Sequence, residues 1–165
     1  MNLDQQLFVS REAYIRTKRD MCSKHEGPYD LQPQVNVIDA EGRYSVGIVE
    51  SVDLTLLAVK SLAEAMPGEV AFVVSLADTL TSEVPEGQSP MPGSLARRLA
   101  QGDPTVRDAL VVTVLDVLAD EHAASMVMYR YDDFGQPVFD DPIPMTVKRG
   151  ESAVTDLMRE AVGLV

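Results

Sequence analysis

The chain reads as an α+β fold, an antiparallel sheet of about five strands with helices on both faces, and three stretches predict it. Residues 69–77, EVAFVVSLA, put Val70, Phe72, Val74 and Leu76 on one side of a strand and Ala71, Val73, Ser75 and Ala77 on the other. Both faces are largely apolar, so both need cover. Residues 109–117, ALVVTVLDV, repeat the pattern with a density of β-branched residues that favours strand over helix at this length. Cover comes first from residues 53–65, where Leu54, Leu57, Ala58, Ser61, Leu62 and Ala65 recur at helical spacing and form the side expected to be buried.

The predicted order is helix, two strands, helix, strand, loop with a short helix, two or three strands, helix. Ser10 is placed to cap a first helix over residues 11–24, with Glu12 in its first turn and Val9 meeting Tyr14 across the start. Residues 1–10 are expected to be a mobile lead-in. The apolar stripe of this helix, Tyr14, Ile15, Met21 and Cys22, is narrow and needs a surface to lie on. Residues 1–25 carry five Lys/Arg against three acids and the rest of the chain nine against twenty-three, so a basic helix on an acidic body is expected.

After a break at Glu26-Gly27-Pro28, Val35 and Val37 alternate in a first strand and Tyr44, Val46, Ile48 and Val49 form a second. The turn between them, Asp39-Ala40-Glu41-Gly42, has Asp first and Gly fourth, as a type I turn with a glycine bulge requires. Ser51 or Asp53 then caps the helix of residues 53–65, and Met66-Pro67-Gly68 ends it. Residues 81–93, TSEVPEGQSPMPG, hold three prolines and two glycines and are expected to form a mobile loop. Ser94 caps a short helix through Ala100 that Gly102 can close.

Beyond the second interior strand, residues 124–131 alternate Met126 and Met128 against Val127, Tyr129 and Tyr131. Asp132-Asp133-Phe134-Gly135 turns the chain, and Val138-Phe139 return as a short edge strand that Pro142 and Pro144 stop. A last helix from Ser152 to Gly163 buries Val154, Leu157, Met158, Ala161 and Val162. A single domain over residues 1–165 is the expectation at this length.

This order resembles the profilin-like and roadblock arrangement, and more loosely that of PAS and GAF domains, which are small binding or dimerisation modules. The resemblance implies a binding role. Residues 69–77, GDPTVRDALVVTVLD (102–116) and YRYDDFGQPVF (129–139) are in turn similar to uncharacterised small proteins of bacterial and phage genomes. Those are strand and turn residues, so this likeness implies an α+β fold and no activity.

Composition narrows the function classes. A net charge of −12 and a pI near 4.4 argue against direct nucleic-acid binding, which concentrates Lys and Arg against phosphates, and leave a basic partner open. The single cysteine, Cys22, permits no intrachain disulfide and suits a reducing compartment. No apolar run approaches the roughly 20 residues that cross a membrane, and MNLDQQ is not a secretory leader, so a cytoplasmic protein with no membrane partner is expected.

Candidate chemistry is sparse. Cys22-x-x-His25 has the spacing of half a zinc site, but His122 is the one other histidine and there is no second cysteine. Neither a G-x-S-x-G elbow nor a P-loop occurs. No catalytic residue, metal or cofactor is expected. The acidic group Asp116, Asp120, Glu121, Asp132, Asp133, Asp140 and Asp141 stands against Arg130 alone. If the hairpin turns at Phe134-Gly135, Asp132 and Asp133 approach Asp140 and Asp141, and these four form either solvated hairpin ends or an interaction patch whose repulsion a basic partner relieves. The expected function is a non-enzymatic protein-binding or regulatory module, its partner a basic protein or a second copy of the chain. Two alternatives are an acidic inhibitor of phage type that imitates nucleic-acid charge, and an enzyme with its site near Asp78 and the 81–93 loop.

Overall fold

Both interior strands receive the two-sided cover their sequences demand. The computed structural model describes residues 1–146 and 152–164. Its elements are α1 (Leu3–Lys24), β1 (Gln34–Asp39), β2 (Tyr44–Ile48), α2 (Thr55–Ala65, after a 3-10 turn Val52–Leu54), β3 (Val70–Ser82), α3 (Leu95–Ala100), β4 (Val106–Asp116), β5 (Glu121–Tyr131), β6 (Pro137–Phe139), β7 (Ile143–Met145) and α4 (Ala153–Ala161). The strands form one antiparallel sheet in the order β2-β1-β3-β4-β5-β6, with β7 beside β6 on the outer side of β5.

One face of the sheet carries Phe72, Val74, Leu76, Leu110, Val112, Val114, Val127 and Tyr129, which close against Tyr14 and Ile15 of α1. The other carries Val35, Val37, Val73 and Leu115, covered by Val59 of α2 and Met158 of α4. Gly47 of β2 lies close under α2: a Cβ there would stand 3.2 Å from Leu62 Cδ1, so that side chain would have to shift slightly.

Three details differ from the sequence reading. The first helix starts at Leu3, because Asn2 and Gln5 form a capping box with reciprocal 2.9 Å hydrogen bonds. Ser10 therefore lies inside the helix, where its Oγ accepts from Gln6 Nε2. The buried side of α2 is Thr55 and Val59, with Ala58, Leu62 and Ala63 beside them. Leu54 and Leu57 stay exposed, since the 3-10 turn delays the helix and rotates its face. Finally, β3 runs on to Ser82 and β7 contains Pro144, which an outermost strand tolerates because it lends no N–H to a further neighbour.

Phe72 and Val112 are both buried between sheet and α1. Phe72→Ala is expected to lower stability by about 3 kcal/mol and Val112→Ala by about 1–2 kcal/mol in urea titrations, whereas a substitution at exposed Glu86 should leave the midpoint within error.

Candidate interaction surface

The seat of α1 is set by a polar stripe. Gln6, Ser10, Tyr14, Lys18 and Cys22 are spaced four residues apart along one side of the helix, and all five are buried. Lys18 is wholly enclosed, and its three N–H bonds are all used: to Asp78 Oδ2 at 2.6 Å, to the Tyr131 hydroxyl at 2.9 Å and to the carbonyl of Tyr29. Asp78 on β3 also accepts from Leu31 N–H at 2.9 Å and from the Tyr129 hydroxyl at 2.5 Å. The ammonium lies over the rings of Tyr129 and Tyr131, 4.7 and 5.3 Å from their centroids. Burial favours the neutral amine, yet the hydrogen bonds to Asp78 and Tyr131 and the Asp78 charge outweigh it and raise the Lys18 pKa. Burial, reinforced by Asp78, pushes the Tyr14 and Tyr129 hydroxyls up as well.

Fastened there, α1 packs against β4, β5 and β6 and leaves the same face of β1 and β2 open. Two adjoining clefts, of about 580 and 270 Å³, run between the helix and these strands and share Gln6, Ile38 and Tyr44. The Tyr14 hydroxyl and Asn36 Oδ1, from residues lining the smaller cleft, are enclosed without a hydrogen-bond partner among the described residues.

The open face ends in an open edge. Val49 N–H bonds to the Pro33 carbonyl and Asp39 N–H to the Arg43 carbonyl, in register with the β1–β2 pairing. The odd-numbered residues of β2 therefore turn their backbone groups inward, and Tyr44, Val46 and Ile48 turn theirs outward. Their side chains are 70%, 47% and 54% exposed and share the face of the groove. The hairpin carrying this edge is held firmly: Asp39 accepts from Glu41 N–H and Arg43 N–H through one oxygen and from Arg43 Nε at 2.7 Å through the other. Burial opposes ionisation of Asp39, but these bonds prevail and hold its pKa below the ordinary carboxylate value.

The acidic residues singled out in the sequence are placed differently. Asp132 turns inward on its own hairpin, accepting from Phe134 N–H and Gln136 N–H. Asp140 lies beside Met128, four residues along β5 from Asp132, and pairs with Arg107 at 2.8 Å. The β5–β6 register thus sets Asp132 and Asp133 at the tip and Asp140 and Asp141 at the base of the hairpin, roughly 13 Å of strand apart. Asp120, also in that group, pairs with Arg159 of α4.

Near Asp78 a cleft of about 370 Å³ is lined by Asp30, Asp78, Thr79, Leu80, Leu99 and Asp108. Burial and the neighbouring charges of Asp78 and Asp30 raise the pKa of Asp108. The 81–93 loop begins where Arg98 reaches Asp103 at 2.9 Å and Ser82 at 2.6 Å, tying α3 to the ends of β3 and β4. Hydrogen bonds from Thr105 and the Arg98 pair hold Asp103 low in pKa. Cys22 is fully buried and His25 stacks on Tyr29 at 4.3 Å. Among the described residues, no group of three or more His, Cys, Asp or Glu is arranged to hold a metal ion, and no helix is long and apolar enough to cross a membrane.

Compared with protein-family models, with curated proteins and with solved structures, the chain matches none.

Removing one partner of the buried pair strands the other's charge. Lys18→Met is expected to destabilise by about 3–5 kcal/mol. The double variant K18M/D78L should recover part of this, since the Tyr129 hydroxyl and Leu31 N–H lose their acceptor, at about 1–3 kcal/mol each. The pH dependence follows the same cluster. Lys18 binds its proton more tightly folded than unfolded, so its contribution is complete below about 10.5 and is lost as pH climbs through the folded value. Tyr14 and Tyr129, with raised pKa values, act in the same direction. Stability measured by urea titration should fall above about pH 10, and less steeply in K18M than in the wild type.

Proposed function

We propose that this protein is a non-enzymatic protein-binding module that takes its partner on the β2 edge and the adjoining groove. One observation carries the reading: the three outward-facing residues of β2 present backbone groups that are unpaired among the described residues, together with exposed apolar side chains. An added strand would gain main-chain hydrogen bonds from the edge and apolar contact from Tyr44, Val46 and Ile48, the mode known as β-augmentation. The other side of the sheet offers no equivalent. There the outermost strands are three residues long and contain Pro137 and Pro144, features that discourage pairing.

The chemistry around Asp78 supports the same choice. Its side chain is 2% exposed, and its oxygens accept from an ammonium, a hydroxyl and a backbone N–H. A carboxylate so committed serves the fold, whereas a general base must reach the proton it abstracts.

A photo-crosslinking amino acid placed at Tyr44, and in a separate strain at Asp133, tests the assignment in cells. Covalent protein adducts are expected from position 44 and not from 133. Adducts from 133 alone would move the partner to the acidic hairpin, and adducts from neither position would overturn the binding reading.

A further inference from the structure

We infer that the partner on this edge is a second copy of the chain, joined β2 to β2 across a twofold axis; the inference rests on the binding reading above and names its occupant. The phase of the hydrogen bonding fixes how such a pair fits. Outward groups belong to Tyr44, Val46 and Ile48, so an antiparallel partner strand must set residues with outward groups opposite them. A second β2 centred on Val46 does this at every position. Val46 faces Val46, Tyr44 faces Ile48 and Ile48 faces Tyr44, with two backbone hydrogen bonds at each pair.

Side chains obey the same symmetry. The pairing sets an aromatic residue against a β-branched one at both ends and two valines at the centre, the cross-strand combinations that stabilise sheets. Residues 44–48, YSVGI, contain no charge and no proline, the usual protections of an edge that must stay single. Arg43, half exposed beyond the end of the strand, is held by its own chain, at 2.7 Å from Asp39 and 2.9 Å from Glu41, and so sets no unpaired charge against the second copy. With the three side chains and the strand backbone covered, each chain hides a few hundred Å², at the small end of interfaces, where weak and transient associations lie.

Sedimentation of the full chain at micromolar concentration tests this. The wild type should sediment at twice its 18.0 kDa. Val46→Lys and Val46→Pro should sediment at 18.0 kDa with unchanged circular dichroism, because the Val46 N–H and side chain are not part of the β1–β2 ladder or the core. Val46→Cys keeps the inference testable if those variants misfold. Paired residues of this type stand about 5.5 Å apart at Cα, within disulfide range, so mild oxidation should give a reducible dimer, and Cys22, being buried, should not. A wild type at 18.0 kDa whose Val46→Cys form does not cross-link overturns the inference, as does a dimer that persists in both V46K and V46P. If that monomer still yields adducts with other proteins from position 44, the binding reading survives and only the choice of a second copy falls; if it yields none, both fall.

Discussion

The contact between Lys18 and Asp78 is the constraint on which the rest of the arrangement depends. It joins residues sixty positions apart, and through Tyr29, Leu31, Tyr129 and Tyr131 it gathers α1, the segment before β1, β3 and β5 at one point. α1 packs Leu3, Leu7, Tyr14, Ile15 and Met21 on the core, contacts that are not directional, and within its buried polar stripe Lys18 is the residue whose partners fix where it sits. Of those partners Asp78 and Tyr131 lie on β3 and β5, while Gln6 and Ser10 bond each other within the helix. That leaves the β1–β2 part of the same face uncovered, and the open groove is therefore a consequence of the ion pair rather than an independent feature.

Buried pairs of this kind are rarely the strongest way to stabilise a core, because two ions must leave water before they attract each other. What they supply here is uniqueness of placement. The pattern recurs on a smaller scale: Asp39 with Arg43 at the β1–β2 turn, and Asp103 with Arg98 where α3 meets β3 and β4. Each is a buried aspartate at the end of a strand or in a turn, holding backbone N–H groups as well as a cation. The first of these ties the β1–β2 turn together, which would reduce the conformational freedom lost were a strand added to β2.

Much of this was legible in the sequence. The interior strands, the β1–β2 hairpin with its Gly42 at φ 83°, and the Ser94 cap follow from local pattern and turn chemistry, which act within a few residues. What escaped depends on distance. Lys18 reads as surface charge until Asp78 is seen across from it, and Asp78 reads as the polar end of a strand that in fact continues for four more residues. The one signal present was the four-residue spacing of Gln6, Ser10, Tyr14, Lys18 and Cys22, which is hard to notice because the stripe is mostly polar. The spacing of the acidic residues was hidden for a related reason: which carboxylates meet depends on strand register, and Arg107 and Arg159 enter from elements remote in the chain. That β2 is a strand is legible in its alternation, but a strand's place at the margin of a sheet is a property of topology and is not written in its five residues.

The unequal margins of the sheet also limit how large any edge-built assembly can grow. A sheet with two receptive margins can add copies without end, and strand addition then yields filaments. Here one margin is uninterrupted over Tyr44–Ile48, while the other is divided between β6 and β7 and broken by Pro137 and Pro144. Were two β2 margins to meet, the margins left among the described residues would include the short, proline-containing β6 and β7, which discourage a further addition of the same kind.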